Sequence, residues 1–330
     1  MNPATKVIQV GLGPIGLEMA KRAAARPDLE LVGAVDIDPT LTGRSLEEVL
    51  GGGVRAPGQV LATVAEAVEA FGPQVALLTT TSDLSGVESL VVDLLERGVS
   101  IVSTCEEMLY PFNTQPETAA RIDEAGKRGG AACLGTGINP GFVLDFLPIL
   151  LTGPVERLRS VKASRIVDAA LRRGPLQKKV GAGLTEAGFQ ARVEAGGFGH
   201  RGMVETLHLV CAAFDVDTVG GTTFIRPVIS ERSVKTEHVS VEPGQVAGIH
   251  QGAEDREGIV MLDLKMYVGA EDPGDRVEIE AEPSVKVQVE GGYHGDVATC
   301  AITLNAVASV RSASPGFRTM LDVIPPRALR

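Results

Sequence analysis

Apolar and polar positions alternate with two different periods over the first part of the chain. Short, wholly apolar runs predict buried strands, and the stretches between them repeat apolar residues every three or four positions, as helices do. The apolar runs are residues 7–10, 29–35, 74–78, 100–103 and 131–134. Strands that alternate with helices predict an α/β domain built on a doubly wound parallel sheet. A ligand is expected beyond the carboxyl ends of such strands.

The pattern changes after about residue 141. Longer strand-like runs are now separated by turn signals, and helical stretches interrupt them. The predicted strands are residues 155–167, 223–228, 235–241, 260–268, 277–282 and 285–289, and the predicted helices are residues 142–151, 185–194 and 200–214. This grouping predicts an α+β domain with a mixed, mostly antiparallel sheet. A last helix, residues 296–312, is expected to pack back on the first domain.

The first apolar run leads directly into a glycine loop. Gly11, Gly13 and Gly16 have the spacing G-x-G-x-x-G, with Pro14 and Ile15 at the start of the following helix. Such a loop permits a tight turn, admits a pyrophosphate and places it on the free N–H groups of the helix. With the leading strand and the helix, the loop predicts a Rossmann domain that binds a dinucleotide. A glycine turn in another kind of α/β protein is the alternative.

An acidic residue at the end of the second strand bears on the choice of cofactor. Asp36 comes 20 residues after Gly16, where a carboxylate can accept hydrogen bonds from the ribose hydroxyls of adenosine. Asp36 favours NAD, because it would repel the 2′-phosphate of NADP. Arg44 lies in the same loop and could receive that phosphate, so the use of NADP stays open.

These features together predict the domain organisation. Residues 1–140 are the dinucleotide-binding domain, and residues 141–295 are a domain for substrate binding and dimerisation. Residues 296–330 are assigned to a C-terminal helix that packs on the first domain. The homodimer is expected by analogy with folds in which a mixed sheet supplies the interface between two copies.

Composition and charge limit the classes of molecule that we expect this protein to bind. Apolar residues make up 44% of the chain and charged residues 22%, as in ordinary globular proteins. The net charge of −11 argues against nucleic acid or an anionic membrane as a partner. We expect no signal peptide and no membrane span. Four cysteines without metal-ligand spacing predict reduced thiols in a cytoplasmic protein and no metal site, and they are Cys105, Cys133, Cys211 and Cys300.

Polar residues follow the third and fourth apolar runs. Thr79, Thr80 and Thr81 offer hydroxyls where a nicotinamide ribose would lie, although one of them could instead cap the next helix. Thr104 and Cys105 follow the fourth run and are expected beside the cofactor. A covalent role for Cys105 is less favoured, because no histidine is near it in the sequence.

Two adjacent carboxylates, Glu106 and Glu107, come next at the same strand end. A partly desolvated glutamate can exchange protons near neutral pH, and it can stabilise a cation that develops beside a nicotinamide. The alternative is that one glutamate caps a neighbouring segment and the other is solvated. Adjacent side chains point in different directions, so we expect one of the two to face the substrate.

Candidate substrate contacts lie around the predicted domain junction. The loop 135–141 is rich in glycine, and Asn139 can offer both a donor and an acceptor to cofactor or substrate; a plain hinge is the alternative. A charged group follows the first strand of the second domain, and a solvated face is its alternative. The candidates for substrate binding are Asn139, Pro140, Phe142, Arg165, Asp168 and His294, and the remaining members of the charged group are Arg172, Arg173, Lys178 and Lys179.

The chain resembles one family over nearly its whole length, and four blocks of sequence carry the resemblance. Residues 103–111 (STCEEMLYP) are similar to the strand-end motif of the 2,4-diaminopentanoate dehydrogenases and the related native amine dehydrogenases. The other three blocks are residues 135–142 (GTGINPGF), 172–183 (RRGPLQKKVGAG) and 320–326 (MLDVIPP). The first domain also resembles dihydrodipicolinate reductases. The second domain lacks their His-His pair with a following lysine and their Ser-Gly-Thr loop.

The resemblance implies reversible, NAD(P)-dependent oxidative deamination of an amine to a carbonyl compound and ammonia. It places the family's catalytic glutamate on Glu106 or Glu107. The spacing from Gly98 resembles that from the corresponding glycine to the catalytic lysine of homoserine dehydrogenases, which slightly favours Glu106. The apolar stretch 166–171 is compatible with a plain alkyl amine. Three alternatives remain: a 2,4-diaminopentanoate or amino-acid dehydrogenase, a homoserine dehydrogenase relative, which should carry a lysine where Glu106 stands, and a sensor that binds a dinucleotide without turnover.

Overall fold

A computed structural model describes residues 3–54, 56–172 and 174–328. The chain forms two compact units. One contains residues 1–141 together with residues 294–330, and the other contains residues 142–293. No helix in the described ranges is long and apolar enough to cross a membrane.

The first unit begins with alternating strands and helices. In chain order they are β1 (Thr5–Val10), α1 (Pro14–Ala24), β2 (Leu29–Val35), α2 (Leu46–Leu50), β3 (Val60–Leu61), α3 (Val64–Phe71), β4 (Val75–Leu78), α4 (Glu88–Glu96), β5 (Ser100–Ser103), α5 (Pro116–Gly129) and β6 (Ala132–Gly135). Local sequence explains several helix ends. Ser45 and Thr63 form capping boxes at α2 and α3, and Gly72 and Gly130 end α3 and α5 in the left-handed conformation.

The second unit combines helices with a larger number of strands. Its elements are α6 (Phe146–Leu151), β7 (Glu156–Asp168), α7 (Gly174–Lys179), α8 (Glu186–Glu194), α9 (Met203–Ala213), β8 (Thr222–Ile229), β9 (Val234–Lys235), β10 (Ser240–Val241), β11 (Val246–Glu254), β12 (Val260–Tyr267), β13 (Gly274–Glu282) and β14 (Val285–Glu290). Its main sheet has the order β14-β13-β7-β12-β11-β8. Only the β7–β12 pair in it is parallel.

The chain then returns to the first unit with α10 (Gly295–Ser312) and β15 (Gly316–Arg318). Helix α10 packs against α1 and against the strands β4, β5 and β6. Strand β15 pairs in parallel with β6, which extends the sheet at that edge. The predicted helix 296–312 matches α10, whereas the wider assignment of residues 296–330 to a C-terminal helix is wrong beyond Ser312, because Pro315 cannot continue the helix and strand β15 follows.

The seven strands of the first unit form one parallel sheet in the order β15-β6-β5-β4-β1-β2-β3. Its core consists of aliphatic side chains from the strands and from α3, α4 and α5, among them Ile8, Leu78, Leu94 and Ile101, each almost wholly buried. Together with the mixed sheet of the second unit, this confirms the predicted fold class.

Three details of the second unit differ from the sequence prediction. Strand β11 was not predicted at all. Residues 235–241, predicted as one strand, form the small hairpin of β9 and β10. The short helix α7 lies within the basic, glycine-rich stretch 172–183, for which no helix or strand was predicted. Arg173, which precedes this helix, lies outside the described residues.

Candidate active site

The glycine loop between β1 and α1 leaves an open cradle at the start of the helix. Gly11 has a φ of +87°, which L-residues with side chains rarely adopt. A Cβ at Gly16 would overlap the carbonyl oxygen of Gly11, whereas a Cβ at Gly13 would meet nothing within 4 Å. No side chain caps the helix, and Pro14 occupies its first turn. The loop therefore keeps space and free N–H groups at a helix N-terminus, as a pyrophosphate requires.

Asp36 ties this loop to the end of β2. One carboxylate oxygen accepts the N–H of Leu12 at 2.6 Å, and the other accepts the N–H of Asp38 at 2.9 Å. The next residue, Ile37, carries a large apolar side chain that is 93% exposed. An acid and an exposed apolar side chain beside the glycine loop fit the ribose and the adenine face of a dinucleotide. Ile37 was missed from the sequence, although a lone apolar residue after the acid was the available signal.

The polar residues beside the loop differ in what they contact. The hydroxyl of Thr79 accepts a hydrogen bond from Gln9 Nε2 at 2.7 Å and donates one to Gly11 O at 3.1 Å. Thr79 therefore links Gln9 to the backbone of the glycine loop. Thr80 and Thr81 are exposed, and Thr81 Oγ1 accepts the N–H of Asp83 at 3.3 Å. Arg44 is exposed, and its side chain contacts no described residue through a hydrogen bond or an ion pair.

The two adjacent glutamates have different surroundings. Both belong to a single 3-10 turn, Glu106–Met108, which follows β5. Glu107 Oε2 accepts the backbone N–H of Leu84 at 3.0 Å and the side-chain amide of Gln115 at 2.8 Å. The carboxylate of Glu106 is half-buried and makes no hydrogen bond or ion pair within the described ranges. Of the two carboxylates, that of Glu106 is thus available to a reacting molecule.

The residues that precede the turn are partly internal. Thr104 is half-buried, and its N–H donates to Leu78 O at 3.0 Å. Cys105 is buried in the core of the first unit, and this burial raises the pKa of its thiol to about 12. The thiol stays protonated and cannot act as a nucleophile. A contact between Cys105 and a cofactor would have to use its backbone.

The end of β6 packs against the same turn. The N–H of Thr136 donates to Ser103 O at 2.9 Å, so β5 and β6 end side by side. A Cβ at Gly135 would overlap the carbonyl group of Met108 and lie 2.8 Å from Met108 Cβ. Only glycine lets the turn lie this close. Beyond Thr136, Asn139 is half-buried at the strand end and Pro140 is buried.

Arg165 is an internal residue of the second unit. Its guanidinium donates to both carboxylate oxygens of Asp275, at 2.9 and 3.0 Å, and to Tyr293 O at 2.6 Å. Arg165 is 3% exposed and Asp275 is 2% exposed. Burial raises the pKa of Asp275, and the positive charge of Arg165 opposes that effect. The pair anchors the segment around Tyr293, whose ring stacks edge-on against Phe142 at 5.8 Å.

Asp168 and His294 also have structural contacts. Asp168 Oδ1 accepts the N–H groups of Ala170 and Gly269, both at 2.9 Å, and fixes the turn that follows β7. In the first unit, His294 is exposed at the N-cap of α10, where its Nδ1 faces the N–H of Val297 at 3.5 Å. The structure therefore gives Arg165 and Asp168 internal partners and leaves His294 exposed.

Comparison with known proteins places this chain among dehydrogenases. Residues 142–330 match the model of the 2,4-diaminopentanoate dehydrogenase C-terminal domain. The chain is 28% identical to the 2,4-diaminopentanoate dehydrogenase of Acetoanaerobium sticklandii, over 98% of this chain and 94% of that protein. It is 28% identical to an amine dehydrogenase of Streptomyces virginiae over 48% of this chain and 44% of that protein.

A solved structure supports the same likeness over the whole chain. The amine dehydrogenase of Mycobacterium smegmatis superposes with a TM-score of 0.83 and 25% identity, covering 98% of this chain and 97% of that one. These comparisons confirm the resemblance that the four sequence blocks indicated.

Proposed function

The chain belongs to the 2,4-diaminopentanoate dehydrogenase family of oxidoreductases, and from this premise we propose that it catalyses the reversible oxidative deamination of a small amine. The products are a ketone or aldehyde and ammonia, and the reverse reaction is a reductive amination. The observation that carries the proposal is the position of Glu106, whose carboxylate stands half-buried and without a hydrogen-bond partner among the described residues at the end of β5.

Glu106 would act as a proton acceptor and as a fixed negative charge. It takes a proton from the ammonium form of the substrate, which frees the nitrogen lone pair. When bound, a nicotinamide dinucleotide would accept the hydride that leaves the amine carbon. The proton that Glu106 accepted passes to solvent, and the regenerated carboxylate then stabilises the positive charge of the iminium. It next accepts a proton from the water that adds to the iminium carbon, and it returns this proton to the nitrogen, which leaves as ammonia while the carbonyl group forms.

The glycine loop and Asp36 support NAD as the preferred cofactor. The cradle at Gly13 fits a pyrophosphate, and the Asp36 carboxylate would hydrogen-bond the ribose hydroxyls and repel a 2′-phosphate. Exposed Arg44, in the same loop, is the residue that would receive that phosphate when NADP binds. Among the other residues predicted to line the cofactor, Thr80, Thr81, Thr104 and Asn139 remain candidates.

The second unit supports a monoamine as the substrate. A diamine or an amino acid needs a second polar anchor, and Arg165 and Asp168 were the candidates for it. Arg165 is neutralised by Asp275, and Asp168 accepts two backbone N–H groups. Phe142, half-buried beside Tyr293, offers an apolar surface instead. The overall likeness to a 2,4-diaminopentanoate dehydrogenase keeps that diamine as the second candidate.

A substrate panel tests the proposal. Reduction of NAD and NADP at alkaline pH would be followed with short alkyl amines, 2,4-diaminopentanoate and small amino acids, and the reverse reaction with ketones and ammonia. Turnover with a monoamine that is lost in Glu106→Ala, while cofactor binding is kept, is the expected result. Cofactor binding without turnover on any amine in either direction would contradict it and favour a sensor.

We also propose a cytoplasmic homodimer. All four cysteines are buried and unpaired, which fits a reducing compartment. The mixed sheet of the second unit would supply the interface between two copies. Light scattering after size-exclusion chromatography tests this, because a mass of one chain would refute the dimer.

A further inference from the structure

Glu107 connects three segments of the first unit. Its side chain accepts the N–H of Leu84, which lies beyond β4, and the amide of Gln115, the residue before α5. Its own N–H donates to Ser82 O at 3.3 Å. We propose that Glu107 is a positioning residue, which holds the Glu106–Met108 turn in place so that Glu106 keeps its orientation. This inference rests on the proposed function of Glu106.

The turn needs such support because it is short. It contains a single 3-10 turn, closed by the bonds from Met108 N to Cys105 O and from Leu109 N to Glu106 O. A turn of this length has poor hydrogen-bond geometry and little stability of its own. A carboxylate that accepts N–H donors forms charge-assisted hydrogen bonds, which are stronger than neutral ones. The Glu107 contacts therefore tie the turn to Leu84 and Gln115 by charge-assisted hydrogen bonds.

The turn is held from a second direction by β6. Gly135 lies directly against Met108, so the turn can move neither toward the sheet nor away from the loop at Leu84. The carboxylate of the neighbouring residue Glu106 takes part in none of these contacts. The two adjacent glutamates thus have different roles: Glu107 binds protein groups, and Glu106 is available to the substrate.

Amide substitution separates a positioning role from a catalytic one. Glutamine at position 107 keeps an oxygen that can accept from Leu84 and Gln115, but it cannot accept a proton in catalysis. Alanine removes both contacts. A positioning role therefore predicts that Glu107→Gln keeps kcat within about threefold, whereas Glu107→Ala lowers it by about 10- to 100-fold, since a displacement near 1 Å costs this much. Gln115→Ala, which removes one contact, should fall between them.

The readouts are chosen to exclude a general loss of structure. The pH profile of kcat should keep its wild-type shape in Glu107→Gln and lose its dependence on the base in Glu106→Gln. NADH affinity, measured by fluorescence, should stay within about twofold in every variant, because none alters the glycine loop. Glu69→Ala, which replaces an exposed glutamate without a hydrogen bond, is the matched control and should behave as wild type.

Hydrogen exchange tests whether Glu107 holds the Glu106–Met108 turn in place, even if no amine is turned over. The amides of residues 84 and 106–115 should exchange faster in Glu107→Ala than in wild type and remain protected in Glu107→Gln. Unchanged exchange in Glu107→Ala, or loss of activity in Glu107→Gln equal to that in Glu107→Ala, would overturn the positioning role. Absence of amine turnover in the wild type, with the exchange pattern as expected, would instead refute only the proposed function.

Discussion

Gly135→Ala tests how the structure holds the proposed catalytic turn. The added methyl group would overlap the carbonyl of Met108 and lie 2.8 Å from Met108 Cβ. Ordinary carbon contacts need 3.5–4.0 Å, so the turn must retreat by about 1 Å. Overpacking of this kind costs about 1–3 kcal/mol of stability. A 1 Å displacement of Glu106 lowers the rate by about 100-fold.

The assay compares kcat for amine oxidation with the midpoint of urea unfolding and with NADH affinity. We expect kcat to fall by about two orders of magnitude while NADH affinity is kept, since the glycine loop lies elsewhere in the sheet. Gly52→Ala is the control, because a Cβ there meets nothing within 4 Å and the φ of Gly52 is not in the left-handed region. Wild-type kcat in Gly135→Ala would refute the argument that this contact fixes the turn.

Three further predictions follow from other contacts. Asp36→Ser should raise the ratio of kcat/KM for NADP over NAD at least about tenfold, because a like charge that repels the 2′-phosphate is gone; an unchanged ratio would contradict this. Asp275→Asn should cost about 3–5 kcal/mol in urea unfolding by leaving Arg165 buried without its counter-charge, and replacing both residues by apolar ones should recover most of the loss. The hydrogen bonds from Arg26 lower the pKa of Asp28, so the contribution of Asp28 to stability is full above its unfolded pKa and is lost as the pH falls through the lower folded pKa. In Asp28→Asn, the free energy of unfolding should therefore fall less steeply as the pH is lowered. An unchanged slope would count against this.

The parallel sheet could be predicted from the sequence because its strands are continuous apolar runs, buried on both faces. Strand β11 could not, since Gly248 and Gly252 break its alternation. These glycines exist for a reason that the local sequence does not contain: a Cβ at Gly248 would overlap Met266 O on β12, and a Cβ at Gly252 would lie 2.6 Å from the ring of Phe224 on β8. Close approach of neighbouring strands, a tertiary property, selects glycine there.

The candidate site, too, depends on contacts between distant segments that the local sequence does not predict. The sequence predicts which residues follow the strand ends, and it therefore predicts where Glu106 and Glu107 lie. It could not separate the two, because the partners of Glu107, Leu84 and Gln115, come from two other segments. It also offered Arg165 as a substrate contact, since its buried partner Asp275 is 110 residues away in the chain.

The central claim is that Glu106 is the proton acceptor in an amine dehydrogenase. The most direct test is the steady-state rate of NAD reduction by a short alkyl amine in wild type and in Glu106→Gln, with NADH affinity measured in both. The account predicts turnover in the wild type and a loss of at least about 100-fold in Glu106→Gln, with NADH affinity unchanged, because glutamine keeps the size of the side chain and cannot accept a proton. Equal rates in the two proteins would contradict it.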